Sequence, residues 1–135
     1  MRRLLLFFSL SIIGSVHADP VRLICTSDMV FSIYRTGDTY ESHEAVNKLT
    51  TFVLINLSKS EIKISWRNDT YNTTGDVDMK IIDVRNGGKV ILGIRTGSDI
   101  GYELHQFDLE NLQTSWTLSE ATGDMYMLSK CSKSN

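Results

Sequence analysis

The sequence has few of the residues on which catalytic and metal sites are commonly built. Its 135 residues include two cysteines, one proline and three histidines. The motif G-x-S-x-G, which carries the nucleophile of many hydrolases, is absent. His43 and His105, the two histidines beyond the N-terminal segment, lack the spacing of metal ligands. We therefore expect a protein that is not an enzyme and that binds no metal or cofactor.

Charge of one sign is also scarce. The 14 basic residues include Arg2 and Arg3, so 12 remain beside 16 acidic residues once the N-terminal segment is removed, a formal charge of −4. No basic stripe suits nucleic acid or an anionic membrane surface. The mild acidity permits a basic protein as a partner. With one proline, no repeat and no low-complexity tract, nothing marks a linker between domains.

Residues 1–18 have the pattern of a secretory signal peptide. Residues 1–3 carry two arginines, residues 4–14 are largely apolar, and Val16 and Ala18 are the small residues that a signal peptidase recognises. The apolar segment is roughly half of the about 20 residues that a membrane span requires. We expect cleavage after Ala18, one β domain over residues 19–135, and a periplasmic or secreted protein.

Two other export routes fit the sequence less well. Lipidation of Cys25 would need small residues before it, whereas residues 22–24 are Arg, Leu and Ile. Arg2 and Arg3 suit the twin-arginine route, but the segment that follows them is strongly apolar and no basic residue closes it. General secretion is therefore expected.

Cys25 and Cys131 lie near the two ends of the exported chain. An even number of cysteines in an exported protein predicts a disulfide, and buried free thiols are the alternative. The bond would close a loop of about 100 residues, which stabilises by up to about 4.7 kcal/mol in the chain-entropy model.

Apolar and β-branched segments recur about every ten residues, with turn residues between them. Ile62, Ile64 and Trp66 alternate with polar residues, which is typical of a strand with one buried face. Residues 86–88, Asn-Gly-Gly, predict a hairpin turn because glycine adopts positive φ freely. The pattern predicts an all-β fold of about eight antiparallel strands in either a small barrel or a sandwich, and barrel closure removes exposed edge strands.

Three segments depart from simple alternation. Residues 49–57 are continuously apolar at their centre, which predicts a strand buried on both faces. Residues 68–76 are polar and form the longest candidate loop. Residues 40–48 are the one helix candidate, with a short polar turn at most.

The densest acidic cluster is the best candidate for a protein contact. It contains Asp38, Glu41 and Glu44, with Tyr40 among them, and an aromatic side chain among acids suits a basic protein. Trp66 and Trp116 occupy positions expected to face the core.

The signal segment, early cysteine, β-rich body and terminal cysteine resemble small uncharacterised exported proteins of Gram-negative bacteria. The relevant residues are YELHQFDLENLQTSWTL, 102–118, and MYMLSKCSK, 125–133. In size, export and terminal disulfide the chain is also similar to the periplasmic inhibitors of C-type lysozymes. Ser98 and Tyr102 in TGSDIGY show the inhibitors' serine and glycine in reversed order, and Trp116 lacks a following Lys-Gly, so this similarity is architectural and no inhibitor residue is carried over.

These features predict a non-catalytic exported binding module, such as an inhibitor or accessory protein of the cell envelope. A structural or assembly component of the envelope and, less favoured, a small hydrolase are the alternatives. A disulfide-tied β scaffold with polar loops is typical of proteins that present binding residues.

Overall fold

The structure, a computed structural model, describes residues 19–36, 39–97, 101–120 and 123–134. These residues form eight antiparallel strands in a closed barrel, in which each strand pairs with its chain neighbours and β1 pairs with β8. The strands are β1 Val21–Thr36, β2 Thr39–Asn56, β3 Glu61–Asn68, β4 Thr73–Arg85, β5 Val90–Gly97, β6 Gly101–Asp108, β7 Gln113–Glu120 and β8 Gly123–Lys133. The predicted all-β fold is confirmed, in its barrel form. In the described part of the chain, no helix has the length and apolar character needed to cross a membrane.

The barrel closes where the first strand meets the last. Cys25 of β1 lies directly opposite Cys131 of β8 in the strand register, and the two sulfurs are bonded at 2.03 Å. The predicted disulfide is confirmed, and it spans 106 residues of sequence. It therefore ties together the seam on which closure of the barrel depends.

The half of the barrel that contains the disulfide is filled by side chains. Ile55, Ile62 and Met79 lie at one level on neighbouring strands and are all buried, and Ile91 and Phe107 are fully buried. Along β3, buried and exposed residues alternate as the period of two predicts. The core residues are Leu23, Cys25, Val53, Ile55, Ile62, Ile64, Val77, Met79, Ile91 and Phe107.

Short turns close this packed half. The predicted turn at Asn86–Gly88 is confirmed, and Gly87 has a φ of 65°, which glycine adopts without the steric cost that a side chain would bring. Leu109 N–H donates to the Lys89 carbonyl at 2.7 Å, which joins the adjacent β6–β7 turn to the start of β5.

Residues 40–48 are strand, so the helix expectation is wrong. Residues 39–46 pair with residues 29–36 of β1, and they lie in the first half of β2. The segment lacks the apolar stripe that would let a helix bury one face. Its backbone groups find their partners in β1 instead. The apolar residues 21–26 and 29–34 belong to one strand, β1, with a register shift between Ser27 and Met29.

The expectation that residues 49–57 are buried on both faces is also wrong. Thr51, Val53 and Ile55 are buried, whereas the side chain of Phe52, which lies between Thr51 and Val53 in the sequence, is 46% exposed. The wall of a small barrel is a single layer, so each strand has one inner face and one outer face. The apolar centre of this segment therefore does not indicate burial on two sides.

The polar segment 68–76 contains a shorter loop than predicted. β3 extends to Asn68 and β4 begins at Thr73, which leaves a turn over residues 69–72. Asn68 Oδ1 accepts hydrogen bonds from the backbone N–H groups of Thr70 and Tyr71 at 3.0 and 3.2 Å. This side-chain turn lets the chain reverse within few residues.

Candidate ligand-binding cavity

The other half of the barrel encloses a cavity of about 280 Å³. Its walls are inward-facing side chains from the halves of the strands that meet at the β1–β2, β3–β4, β5–β6 and β7–β8 connections. Most of these side chains are apolar, among them Val30, Leu49, Ile64, Val77, Leu118 and Met127. The volume lies near the lower end of the about 300–1,000 Å³ typical of small-molecule pockets.

A buried carboxylate, Glu103, organises the polar side of the cavity. Its Oε2 accepts from Arg95 Nε at 2.8 Å and from Arg95 Nη2 at 2.6 Å. Its Oε1 accepts from Trp116 Nε1 at 2.7 Å and is 3.0 Å from His105 Nε2. The Arg95 and Glu103 backbones are paired across β5 and β6, and His105 is paired with Trp116 across β6 and β7. Three adjacent strands therefore assemble the cluster from two successive inward-facing levels of the barrel.

Glu103 stays ionised in this setting. Burial by itself would raise the pKa of its carboxyl, but the hydrogen bonds from His105 and Trp116, followed by the electrostatic contributions of His105 and Arg95, outweigh burial and lower the pKa from 4.5 to about 2. The side chain is 6% exposed, whereas that of Arg95 is 38% exposed. Arg95 thus connects the buried carboxylate with the solvent.

The ionised carboxylate fixes the orientation of His105. A carboxylate only accepts hydrogen bonds, so His105 Nε2 carries the proton that it donates to Glu103. The imidazole also stacks against the ring of Phe107, with centroids 5.7 Å apart. Its side chain is 8% exposed, and among the described residues its Nδ1 has no hydrogen-bond partner.

Both tryptophans of the chain are half-buried and line the cavity. Trp66 lies over Gly75 of β4, where an added Cβ would come within 2.6 Å of the indole ring. Glycine at this position gives the ring room to lie flat on the barrel wall. Trp116 is held from the opposite side by its hydrogen bond to Glu103. The fluorescence of the two indoles should therefore respond to a ligand that enters the cavity.

No protein-family model matches the chain, and no curated protein matches it significantly in sequence. The function of the cavity has to follow from its own residues.

Glu41 and Glu44, two of the residues predicted to contact a protein, are not among the residues that line this cavity. Asp38 is outside the described residues. Tyr40 pairs with Arg35 in the β1–β2 ladder, and Glu41 and Glu44 are exposed residues of β2. Residues 39–56 form β2, and the predicted contact of this acidic cluster with a protein stays a prediction.

Two further sequence expectations concern metal binding and the similarity to lysozyme inhibitors. Glu41 Oε2 is 3.5 Å from Nε2 of the exposed His43. Across the residues that the structure describes, no group of three or more His, Cys, Asp or Glu side chains is placed to hold a metal ion. Ser98, quoted for the inhibitor similarity, is outside the described residues, and Tyr102 is 43% exposed on β6.

Sequence reasoning missed the Glu103 cluster. From the sequence, His105 is considered only as a possible metal ligand, and Glu103 is not among the candidate residues. In the structure the inner face of β6 carries Glu103, His105 and Phe107. The available signal was the alternation E-x-H-x-F, with two polar residues in phase with a large aromatic one.

Proposed function

We propose that this protein is an exported, non-catalytic binding module that holds a small molecule with an apolar body inside its barrel. The observation that carries the proposal is the cavity of about 280 Å³, with apolar walls, two indoles and one buried polar cluster. An eight-stranded barrel is of the size at which the interior is either filled by side chains or left with room for one small ligand. Here one half is filled and the other half is not.

The walls of the cavity favour binding because they are already formed. Transfer of an apolar group from water to such a wall stabilises the bound state by roughly 25 cal/mol per Å² of apolar surface buried. Barrel closure and the disulfide hold Cys25 and Cys131, and with them β1 and β8, in one arrangement. Little conformational entropy is then lost when a ligand enters, which leaves more of the gain as affinity.

Export is the part of this proposal that rests on the sequence. Residues 1–18 are outside the described residues, and cleavage after Ala18 stays a prediction. Disulfides persist in oxidising compartments, which fits a periplasmic or secreted location. An inhibitory or accessory role in the cell envelope, and a basic protein partner at Glu41 and Glu44, likewise stay predictions.

Ligand binding can be tested with a neutral apolar compound. Octan-1-ol should change the tryptophan fluorescence saturably, because both indoles line the cavity. Val77→Phe places a ring in the cavity and should weaken this binding by at least about tenfold. Val84→Phe, on the same strand but 44% exposed, is the matched control and should bind as the wild type does. Absence of saturable binding, or equal affinity in the two variants, would contradict the proposal.

One observation favours the hydrolase alternative. Glu103 orients His105 by a hydrogen bond to Nε2, and Nδ1 faces no protein partner among the described residues, as in a general base held by a carboxylate. However, no serine, threonine or cysteine in the described residues is hydrogen-bonded to that nitrogen. Hydrolysis of a small ester that is lost in His105→Gln would favour the enzyme, and equal background hydrolysis by both proteins would favour the binding module.

A further inference from the structure

The polar groups that the cavity leaves unpaired are mostly hydrogen-bond donors. Arg95 uses Nε and Nη2 for Glu103, which leaves its Nη1 amino group without a partner in the described residues. Asn68 is 8% exposed, and its Oδ1 is identified by the two backbone N–H groups that donate to it, so its Nδ2 amino group is the unpaired atom. The indole N–H of Trp66 also has no partner among these residues.

Acceptors are scarce by comparison. Each oxygen of Glu103 already accepts from two donors, so the carboxylate has no capacity left for a ligand. Thr51 Oγ1 donates to the Cys25 carbonyl at 3.5 Å and keeps its own lone pairs, so it is an acceptor on the wall. Glu103 therefore has no lone pair left to accept from a cationic ligand, whereas Arg95 keeps the N–H groups of Nη1.

Charge narrows the ligand further. The Arg95 guanidinium and the Glu103 carboxylate balance formally, so the cavity offers the unpaired N–H groups of one cation and no second positive charge from another arginine or lysine on its wall. A dianion such as a phosphate monoester would need more compensation than this. A monoanion with few polar atoms fits the unpaired donors, and the apolar part of such a ligand can pack against the apolar wall.

We propose that the ligand is a small monocarboxylic acid with an apolar body, its carboxylate paired with Arg95 Nη1 in a cavity whose wall also carries the Asn68 Nδ2 donor. This inference rests on the proposed function of the cavity. The hydrocarbon or aryl body packs against the indoles and the aliphatic wall. Charge-assisted hydrogen bonds offset the loss of hydration of the carboxylate as it leaves water. The cavity volume, about 280 Å³, suits an acid of octanoate size.

A series of eight-carbon ligands separates this inference from the proposed function. Octanoate, octan-1-ol and octylammonium are titrated at neutral pH, with tryptophan fluorescence as the readout. Octanoate should bind at least about tenfold more tightly than octan-1-ol, and octylammonium most weakly. Equal affinity for octanoate and octan-1-ol would overturn the carboxylate inference and leave the cavity as an apolar site. Binding of none of the three would overturn the proposed function as well.

Asn68→Asp tests the Asn68 donor with almost no change of shape. The substitution keeps an oxygen for the turn N–H groups and replaces the Nδ2 donor by a second, negatively charged oxygen. Octanoate affinity should fall by at least about tenfold while octan-1-ol affinity changes little. Asn56→Asp is the control, because Asn56 Oδ1 accepts from the Lys59 backbone N–H in a turn at the packed end of the barrel.

A second variant guards against a failure of Asn68→Asp to fold. Arg95→Met should also lower octanoate affinity by at least about tenfold. Arg85→Met is its control, since Arg85 pairs with Asp83 on the outer surface of β4. Unchanged octanoate binding in both Asn68→Asp and Arg95→Met would overturn the assignment of the carboxylate to these residues.

Discussion

Glu103 organises the half of the barrel that encloses the cavity. It brings a charge into an interior that is otherwise largely apolar, and three side chains from three strands compensate that charge. Leaving such a carboxylate without its partners would cost several kcal/mol, so Arg95, His105 and Trp116 are held in place as firmly as Glu103 itself. The cluster thereby fixes the orientation of one indole and one imidazole on the cavity wall.

The lowered pKa of Glu103 predicts a specific loss of stability in acid. The pKa falls from 4.5 to about 2 on folding, so between these values the unfolded chain binds more protons than the folded protein. The stabilisation is complete above about pH 4.5 and is lost as the pH falls through about 2, and it amounts to about 3 kcal/mol. Urea unfolding at about pH 6 and about pH 2 measures it.

The comparison that isolates this effect is Glu103→Gln, which cannot ionise. Its free energy of unfolding should fall less than that of the wild type between the two pH values, by about 3 kcal/mol. Glu110→Gln removes an exposed carboxylate that pairs with Lys89 and should follow the wild type within about 1 kcal/mol. Parallel pH profiles for wild type and Glu103→Gln would show that Glu103 is not the ionised centre described above.

Among the elements, the β1–β8 pair carries the closure of the barrel. Its ladder is interrupted between Thr26 and Phe31 of β1, and Cys25 with Cys131 lies directly beside that interruption. The disulfide therefore reinforces the seam near the place where backbone pairing is weakest.

Removing the disulfide should lower stability without abolishing the fold. For the double variant Cys25→Ser/Cys131→Ser we expect a free energy of unfolding lower by about 2–5 kcal/mol, because the unfolded chain regains the freedom that a long closed loop denies it. Urea unfolding followed by far-ultraviolet circular dichroism measures the change. The control is wild-type protein that has been unfolded, reduced and then reoxidised. An unchanged unfolding midpoint would contradict the role given to the seam.

The sequence predicted elements well where alternation decides the structure. β3, the turn at residues 86–88 and the disulfide follow from local pattern and cysteine number. The sequence predicted elements poorly where pairing with a neighbouring strand decides the structure. Residues 40–48 carry no pattern of their own and become strand because β1 lies beside them.

The inner face of β6 was missed for a related reason. Glu103 and His105 are polar residues that normally indicate a solvent-exposed face, and only Arg95 from β5 and Trp116 from β7 make that face internal. No pattern within β6 contains that information. The candidate site could therefore be recognised only once the strand register was known, whereas the approximate number of strands and the disulfide could be predicted before.

At the scale of the whole molecule, one barrel wall encloses two different interiors. Ile64 and Val77 mark the boundary, since they belong both to the packed core and to the lining of the cavity. The packed half and the disulfide supply stability, which allows the other half to keep space and a buried charge. Binding proteins commonly combine a rigid scaffold with a site that is less than optimal for stability.

The most direct test of a ligand-holding barrel is to map octanoate binding by nuclear magnetic resonance. In a ¹⁵N-labelled sample, the indole N–H signals of Trp66 and Trp116 should both shift on titration, together with backbone amides of the residues that line the cavity. Signals from the packed half, such as Ile62 and Met79, should move little. Shifts confined to exposed residues such as Phe52 or Glu41, or no shift of either indole at saturating octanoate, would contradict the account.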